Sequence, residues 1–351
     1  MPVSKGVRWL AHGSLMALAI YLGSTYLIHY VVSKPSHPKE TAARQVVKHP
    51  VANDARFRAL FDDGIQAFRN GVYADALASY LEAERSTDQL TDDQYEALKK
   101  SRLQIAQIYE TSGDNSAANG VYRALADCAN RDGNALFQAQ HYDAALARAQ
   151  DGEQFSNQLV EGKRDSLQES MFLLASSLSN LHRYPEAVEA EQRLIDYLKT
   201  SADEYDAVFG QAYTGLASFY ADEKDWHGSE QALLALIDWC DRTHTHYTTQ
   251  YNGPYVDPTI ARNWGQYNLV IAYYQEGDTD SALSKADDFF GEYSKPQDPM
   301  HPVNVVYHSA DFAALALQIA NETNRQETMD LWGKRAPGGI KIVTLHPPGA
   351  H

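Results

Sequence analysis

Cysteine is nearly missing from this 351-residue chain, which has only Cys128 and Cys240, 112 residues apart. That excludes a disulfide scaffold and every C-x-x-C metal or redox motif, and leaves the two as small apolar fillers. Catalytic signatures are missing as well. The sequence has no P-loop, G-x-G-x-x-G, H-E-x-x-H or G-x-S-x-G, so the expectation is no catalysis of its own and no cofactor. Positive charge is scarce beyond residue 54, where 24 of the 30 basic residues face 44 of the 46 acidic ones. With a net charge of −16 overall and no basic stripe, nucleic acid is repelled rather than bound.

Charge of either sign is absent from residues 9–33. As a helix, that stretch would span roughly 37 Å at about 1.5 Å per residue, more than the hydrocarbon core of a bilayer at about 30 Å. Trp9 and Tyr30 stand near its ends, where an interfacial aromatic belt places them. The run is too long for a cleaved signal peptide and lacks a small-residue cleavage site, so we read an uncleaved transmembrane signal anchor. Lys5 and Arg8 precede it, and Lys34, Lys39, Arg44 and Lys48 follow, so the charge rule does not fix its orientation. A short leader (1–8) with one span enters amino-end-in. The expectation is a single-pass protein of a bacterial inner membrane with its main body in the periplasm. Residues 34–54 carry Pro35, Pro38 and Pro50 among polar residues and read as a linker. Residues 336–351, with Gly338-Gly339 and Pro347-Pro348, read as a flexible tail.

Between these lies a repeat. In GIQAFRNGVYADALASYLEA, residues 64–83, Gly64 and Ala67 are one helical turn apart, Asn70-Gly71 breaks the helix, and Tyr73 opens a second one. The second helix places Ala76, Tyr80 and Ala83 on one face. The arrangement recurs at Ala106, Tyr109, Gly113, Asn115, Ala118 and Tyr122, and at Ala175, Leu178, His182, Tyr184 and Ala187. It returns at Ala217, Tyr220, Lys224, Trp226 and Ser229, at Val270, Tyr273, Gly277, Thr279 and Ala282, and more weakly at Gly133, Leu136, Gln140, Tyr142 and Ala145. The residues opening the second helices are spaced by 42, 27, 42, 42 and 53. A hairpin this short cannot bury its own apolar face, so the copies must stack.

The pattern resembles the tetratricopeptide repeat (TPR) family, in the long-helix variety seen in kinesin light chains. The resemblance implies an all-α fold, an α-solenoid of stacked antiparallel helix pairs over residues 55–335, preceded by the transmembrane helix. The predicted pairs are 55–70 with 73–86, 91–112 with 115–129, 131–140 with 142–158, and 161–182 with 185–200. They continue with 202–223 and 226–243, 258–276 and 279–293, then a closing pair, 303–323 with 324–334. An insertion near 244–257 accounts for the longest step.

In this family the first helices line a groove that holds a partner's peptide or helix. Carried over by register, the groove would include Phe61, Ile65 and Phe68, then Leu103, Gln107 and Glu110, then Phe172, Ser176 and Ser179. Thr214, Ser218 and Asp222 would follow, and then Tyr267, Ile271 and Tyr274. The Lys and Asn that clamp acidic tails in some members have only isolated matches, Lys100 and Asn134. The groove's middle is uncharged, which favours an extended or helical protein segment.

Ten of the 22 tyrosines fall between Tyr205 and Tyr293. Tyr247, Tyr251 and Tyr255 in the insertion, with Tyr267, Tyr274 and Trp264, offer an amphipathic surface for a peptide or a sugar; the competing reading is that they cover long helices. Cys240, His244 and His246 are metal-ligating types with no clear fourth ligand, so a solvated loop competes with a metal site there. The sequence therefore reads as a membrane-anchored TPR-type protein–protein interaction scaffold. The alternatives are a glycan-binding module or a metal-dependent enzyme at 240–246.

Overall fold

The computed structural model describes residues 51–202, 206–246, 258–294 and 307–335, and all regular structure among them is helical. Thirteen helices follow one another: α1 (Val51–Arg69), α2 (Tyr73–Arg85), α3 (Asp92–Ser112), α4 (Asn115–Gln138), α5 (Tyr142–Asn157), α6 (Lys163–Asn180) and α7 (Tyr184–Ser201). Then come α8 (Val208–Glu223), α9 (Trp226–His246), α10 (Pro258–Glu276), α11 (Thr279–Tyr293), α12 (Ser309–Glu322) and α13 (Gln326–Arg335). None of the described helices is long and apolar enough to cross a membrane. The expected anchor at 9–33, most of the linker and the tail at 336–351 lie outside the described residues.

One turn makes every hairpin. After α1, Gly71 sits at φ 74°. Its N–H donates to Phe68 O at 3.0 Å, and Val72 N–H donates to Ala67 O at 3.0 Å. This pair of bonds satisfies carbonyls that the helix end would otherwise leave unpaired. The same two bonds and a left-handed residue recur at Gly113, Gln140, His182, Lys224, Gly277 and Asn324. Two residues later the next helix starts each time, at Tyr73, Asn115, Tyr142, Tyr184, Trp226, Thr279 and Gln326. Seven residues before the turn a small or β-branched residue is buried in six of the hairpins: Gly64, Ala106, Gly133, Ala175, Ala217 and Val270. Close approach of the returning helix requires this. A Cβ on Gly64 would stand 2.4 Å from the Tyr80 ring.

The predicted break at residue 130 does not occur. Helix α4 runs unbroken for 24 residues. It is the second helix of one hairpin and the first of the next, which is why the step there is 27 residues rather than 42. No helix-breaking turn stands between Ala129 and Arg131, and Gly133, a residue that costs a helix interior about 1 kcal/mol, is tolerated for packing. A Cβ on it would meet Leu173 at 2.6 Å and Arg148 Cβ at 2.9 Å.

The chain divides into two compact units, Thr41–Leu194 and a second one taking in Ile195–His351, with the division inside α7. In the first, each helix from α1 to α6 packs on the next, and α4 also reaches α2 and α6. In the second, α8 packs on α9, α9 on α10, and so on to α13, with α8 also touching α10. Contact with near neighbours alone is the signature of a helical repeat array.

The first unit has a polar interior. Arg102, fully buried, pairs with Glu84 at 2.5 Å, and Arg131 meets the same carboxylate at 2.6 Å. Arg148 pairs with buried Asp132 at 2.8 Å and lies 3.6 Å above the Tyr95 ring. Asp132 also accepts from Leu90 N–H at 3.2 Å. Burial outweighs these partners and holds the Asp132 carboxyl above its ordinary range. The second unit is packed with rings instead. Tyr267 stacks on Tyr307 with centroids 3.8 Å apart, and Phe312 meets Tyr267, Phe289 and Tyr293 at 5.6 to 5.7 Å.

Candidate functional site

The candidate groove residues fall at fixed places relative to the hairpin turn, about ten, six and three positions before the left-handed residue. In the first unit Phe61, Ile65, Phe68, Leu103, Phe172 and Ser176 are half-buried, Gln107 and Glu110 are exposed, and Ser179 is buried. Phe61 and Phe68 owe their partial cover to neighbouring rings: Phe61 lies 5.2 Å from Tyr80, and Phe68 lies 5.5 Å from Tyr73. Glu110 is held by the Tyr122 hydroxyl, which donates to it at 3.0 Å.

In the second unit Thr214, Ser218, Asp222 and Ile271 are half-buried. Thr214 and Ser218 turn their hydroxyls back on their own helix, donating to Gly210 O at 2.7 Å and Thr214 O at 2.9 Å. The aromatic end of the expected groove is corrected here. Trp264, Tyr267 and Tyr274 are 8%, 5% and 0% exposed, so they are core residues. The closing hairpin covers α10: Tyr267 packs on Tyr307 and Phe312, and the Tyr274 hydroxyl donates to Glu322 at 2.6 Å. Burial raises both hydroxyl pKa values.

One position stays open in both units. Six residues before each turn stand Ile65, Gln107, Asn134, Ser176, Ser218 and Ile271, all at least partly exposed. Only Gln318 of the last hairpin is buried there, at 7%. Asn134, which the shared helix α4 adds to this stripe, donates to Glu169 at 2.9 Å. In the sequence Asn134 stands only as an isolated match, because the pairing predicted there breaks α4 at residue 130.

The first unit also holds a charged cleft of about 230 Å³ between α5, α6 and α7. Leu174, Leu178 and Ala190 line it together with Glu153, Arg183, Glu186 and Arg193. Arg193 meets Glu153 at 2.7 Å, and Arg183 grips Glu186 through two nitrogens at 2.6 and 2.5 Å. With both guanidiniums already paired, the cleft presents no free anion-binding fork.

Tyr247, Tyr251 and Tyr255 lie outside the described residues. So do the side chains of His244 and His246, although α9 runs on to His246. Cys240 is fully buried, and Cys128 is 3% exposed. Burial pushes the Cys128 thiol up to about 12, which keeps it protonated and inert. A different set of metal-ligating side chains, unnoticed in the sequence, does converge: His227, Glu230 and Glu276.

Searched as a sequence, the chain matches no family model and no curated protein. Among solved structures it is similar to nearly identical TPR-like repeats assigned to a kinesin light chain of Podosopora anserina. That likeness has a TM-score of 0.44 and 15% identity, over 61% of this chain and 92% of that one. It is also similar to the apo form of RapI, with a TM-score of 0.42 and 10% identity over 94% and 93% of the two chains. BtubC (BKLC) from P. vanneervenii follows at 0.38 and 15%, over 82% and 90%. Similarity at this level carries no function across, and the repeat architecture rests on the seven hairpin turns themselves.

Proposed function

We propose that the chain is a helical-repeat scaffold whose first unit binds a protein segment along the stripe presented by its first helices. The observation that supports this is the register-constant opening at Ile65, Gln107, Asn134 and Ser176 of the first unit, a position that is also open at Ser218 and Ile271 in the second. A repeat core could close this position in every hairpin, and in the terminal one it does. The half-buried neighbours Leu103 and Phe172 give the stripe apolar anchors between polar residues, the mixture that a peptide or helix is held by. The sugar-binding alternative loses Trp264, Tyr267 and Tyr274 as a platform, since all three are buried.

A photocrosslinking amino acid placed at Gln107 or Ser176 tests the reading, with Asp75 and Glu189 on second helices as controls. A scaffold gives a discrete adduct from the stripe positions, and Phe172→Asp removes it. Equal labelling from all four positions would end this reading.

We further propose that residues 9–33 tether the repeats to a bacterial inner membrane with the array in the periplasm. The support is the uncharged 25-residue run and the aromatic residues at its ends. Tethering would raise the local concentration of scaffold for a membrane-bound partner. Reporter fusions after His351, one active only in the periplasm and one only in the cytosol, test the side. Cytosolic activity alone would overturn the proposed localisation.

A further inference from the structure

We propose that His227, Glu230 and Glu276 form a three-ligand site for a divalent metal ion of the zinc type, with its fourth position open to solvent. His227 and Glu230 lie three residues apart near the start of α9 and so share one face. Glu276 is the last residue of α10, the helix packed against α9 in the same unit. The three donor atoms come within 4.8 Å of one another. His227 Nδ1 is 3.6 Å from Glu230 and 3.3 Å from Glu276.

Two arrangements set scales for these separations. A charge-assisted hydrogen bond draws its atoms to about 2.7–2.9 Å. The edges of a tetrahedron with metal–ligand bonds of about 2.0–2.2 Å are about 3.3–3.6 Å. The two His227 separations fall in the second range, although His227 and Glu276 also bond one another within the cluster.

The surroundings point the same way. Tyr273 hydrogen-bonds to Glu230, which fixes the carboxylate as an outer-shell partner does. The site sits at the carboxyl end of α10 and the amino end of α9, so the two helix dipoles oppose each other there. One nitrogen and two oxygens suit zinc. Calcium needs six to eight oxygens, and the cluster supplies too few.

The test uses the purified, untagged full chain, stripped with a chelator and titrated with zinc chloride, then with calcium chloride. We expect saturation at one zinc per chain, no saturable calcium binding, and a raised unfolding midpoint with zinc, because the ion joins α9 to α10. His227→Ala and Glu276→Gln should each weaken zinc binding at least tenfold, and Tyr273→Phe by about tenfold. The His227 side chain is 71% exposed, so its variant should keep the metal-free unfolding midpoint and the result will report ligation. The proposal is overturned if zinc does not bind, or if it binds equally well to both ligand variants.

Discussion

In residues 41–194 the interior is crossed by charge, with Arg102 on Glu84, Arg148 on Asp132, and Asn130 clasping the Ser166 carbonyl at 3.1 Å. From residue 195 on, the same hairpins are filled by Trp239, Trp264, Tyr267, Tyr274, Phe289, Phe312 and Trp332, all buried. The backbone turn is identical in both. The comparison separates what the repeat demands, a small residue and a left-handed turn, from what it leaves free, the chemistry of the space between helices. Buried ion pairs add little net stability but are costly to break one-sidedly, whereas an apolar interior tolerates changes of shape.

The largest expected effect comes from breaking a pair. Arg102→Met leaves Glu84 buried with only the half-exposed Arg131, and should cost about 3–5 kcal/mol. Adding Glu84→Leu should recover most of the loss. Four of the five tryptophans lie beyond residue 195, so tryptophan fluorescence follows that unit while far-ultraviolet circular dichroism follows both. In urea, Arg102→Met should move the dichroism transition more than the fluorescence transition. Equal shifts would mean that the array unfolds as one cooperative block.

Glu191 sharpens the contrast, because it is a carboxyl at 1% exposure with an oxygen that meets no partner. It stands nine residues after its turn, where Tyr80 and Leu233 fill the corresponding hairpins with apolar bulk. Burial holds the carboxyl well above the usual carboxylate range. The unfolded chain releases this proton near pH 4.3, roughly the ordinary value, while the folded chain keeps it to higher pH. Stability therefore falls as pH rises from there until the folded carboxyl ionises. Glu191→Leu should stabilise by about 1–3 kcal/mol at pH 8, and the gain should shrink toward pH 4. A gain independent of pH would show that the native carboxyl titrates normally.

Smaller again is Phe312→Leu in the aromatic unit. The ring is fully buried among three others, but the replacement keeps most of its volume and should cost under about 1.5 kcal/mol. The tryptophan transition measures it. A loss as large as that from Arg102→Met would remove the distinction between the two interiors.

Much of the fold was legible in the sequence because the turn leaves a local mark. Gly71, Gly113, Gln140, His182, Lys224 and Gly277 are all left-handed, and each stands at one register position between a small or β-branched residue and a helix-opening one. What was not legible depends on distance in the chain. Continuity through Ala129–Arg131 makes α4 shared, yet the sequence there carries a helical pattern on both sides and no local signal chooses. Tyr267 and Tyr274 match exposed groove positions in register, and only the packing of Tyr307, Phe312 and Glu322 takes them out of solvent. Glu84 and Arg102 are 18 residues apart on different helices, so their pairing shows no helical spacing. His227 and Glu230 carry a readable three-residue interval, but Glu276, 46 residues beyond Glu230, joins them only once α9 and α10 are packed.

The finest test concerns the feature common to both units. Gln140 is exposed at φ 63°, a conformation that costs a residue with a side chain about 1–2 kcal/mol and glycine little. Glycine gives back part of that gain through the greater freedom of its unfolded chain. Gln140→Gly should therefore stabilise by about 0.5–1 kcal/mol. His182→Gly should yield less, because its Nδ1 also shares a 2.7 Å hydrogen bond with the Tyr184 hydroxyl. The reverse exchange, Gly71→Ala or Gly113→Ala, should cost about 1 kcal/mol. Nothing lies within 4 Å of a Cβ at either position, so backbone conformation alone sets that cost. If alanine at both glycines were neutral, the left-handed turn would not be what holds the register, and the small buried residue seven positions earlier would have to carry it.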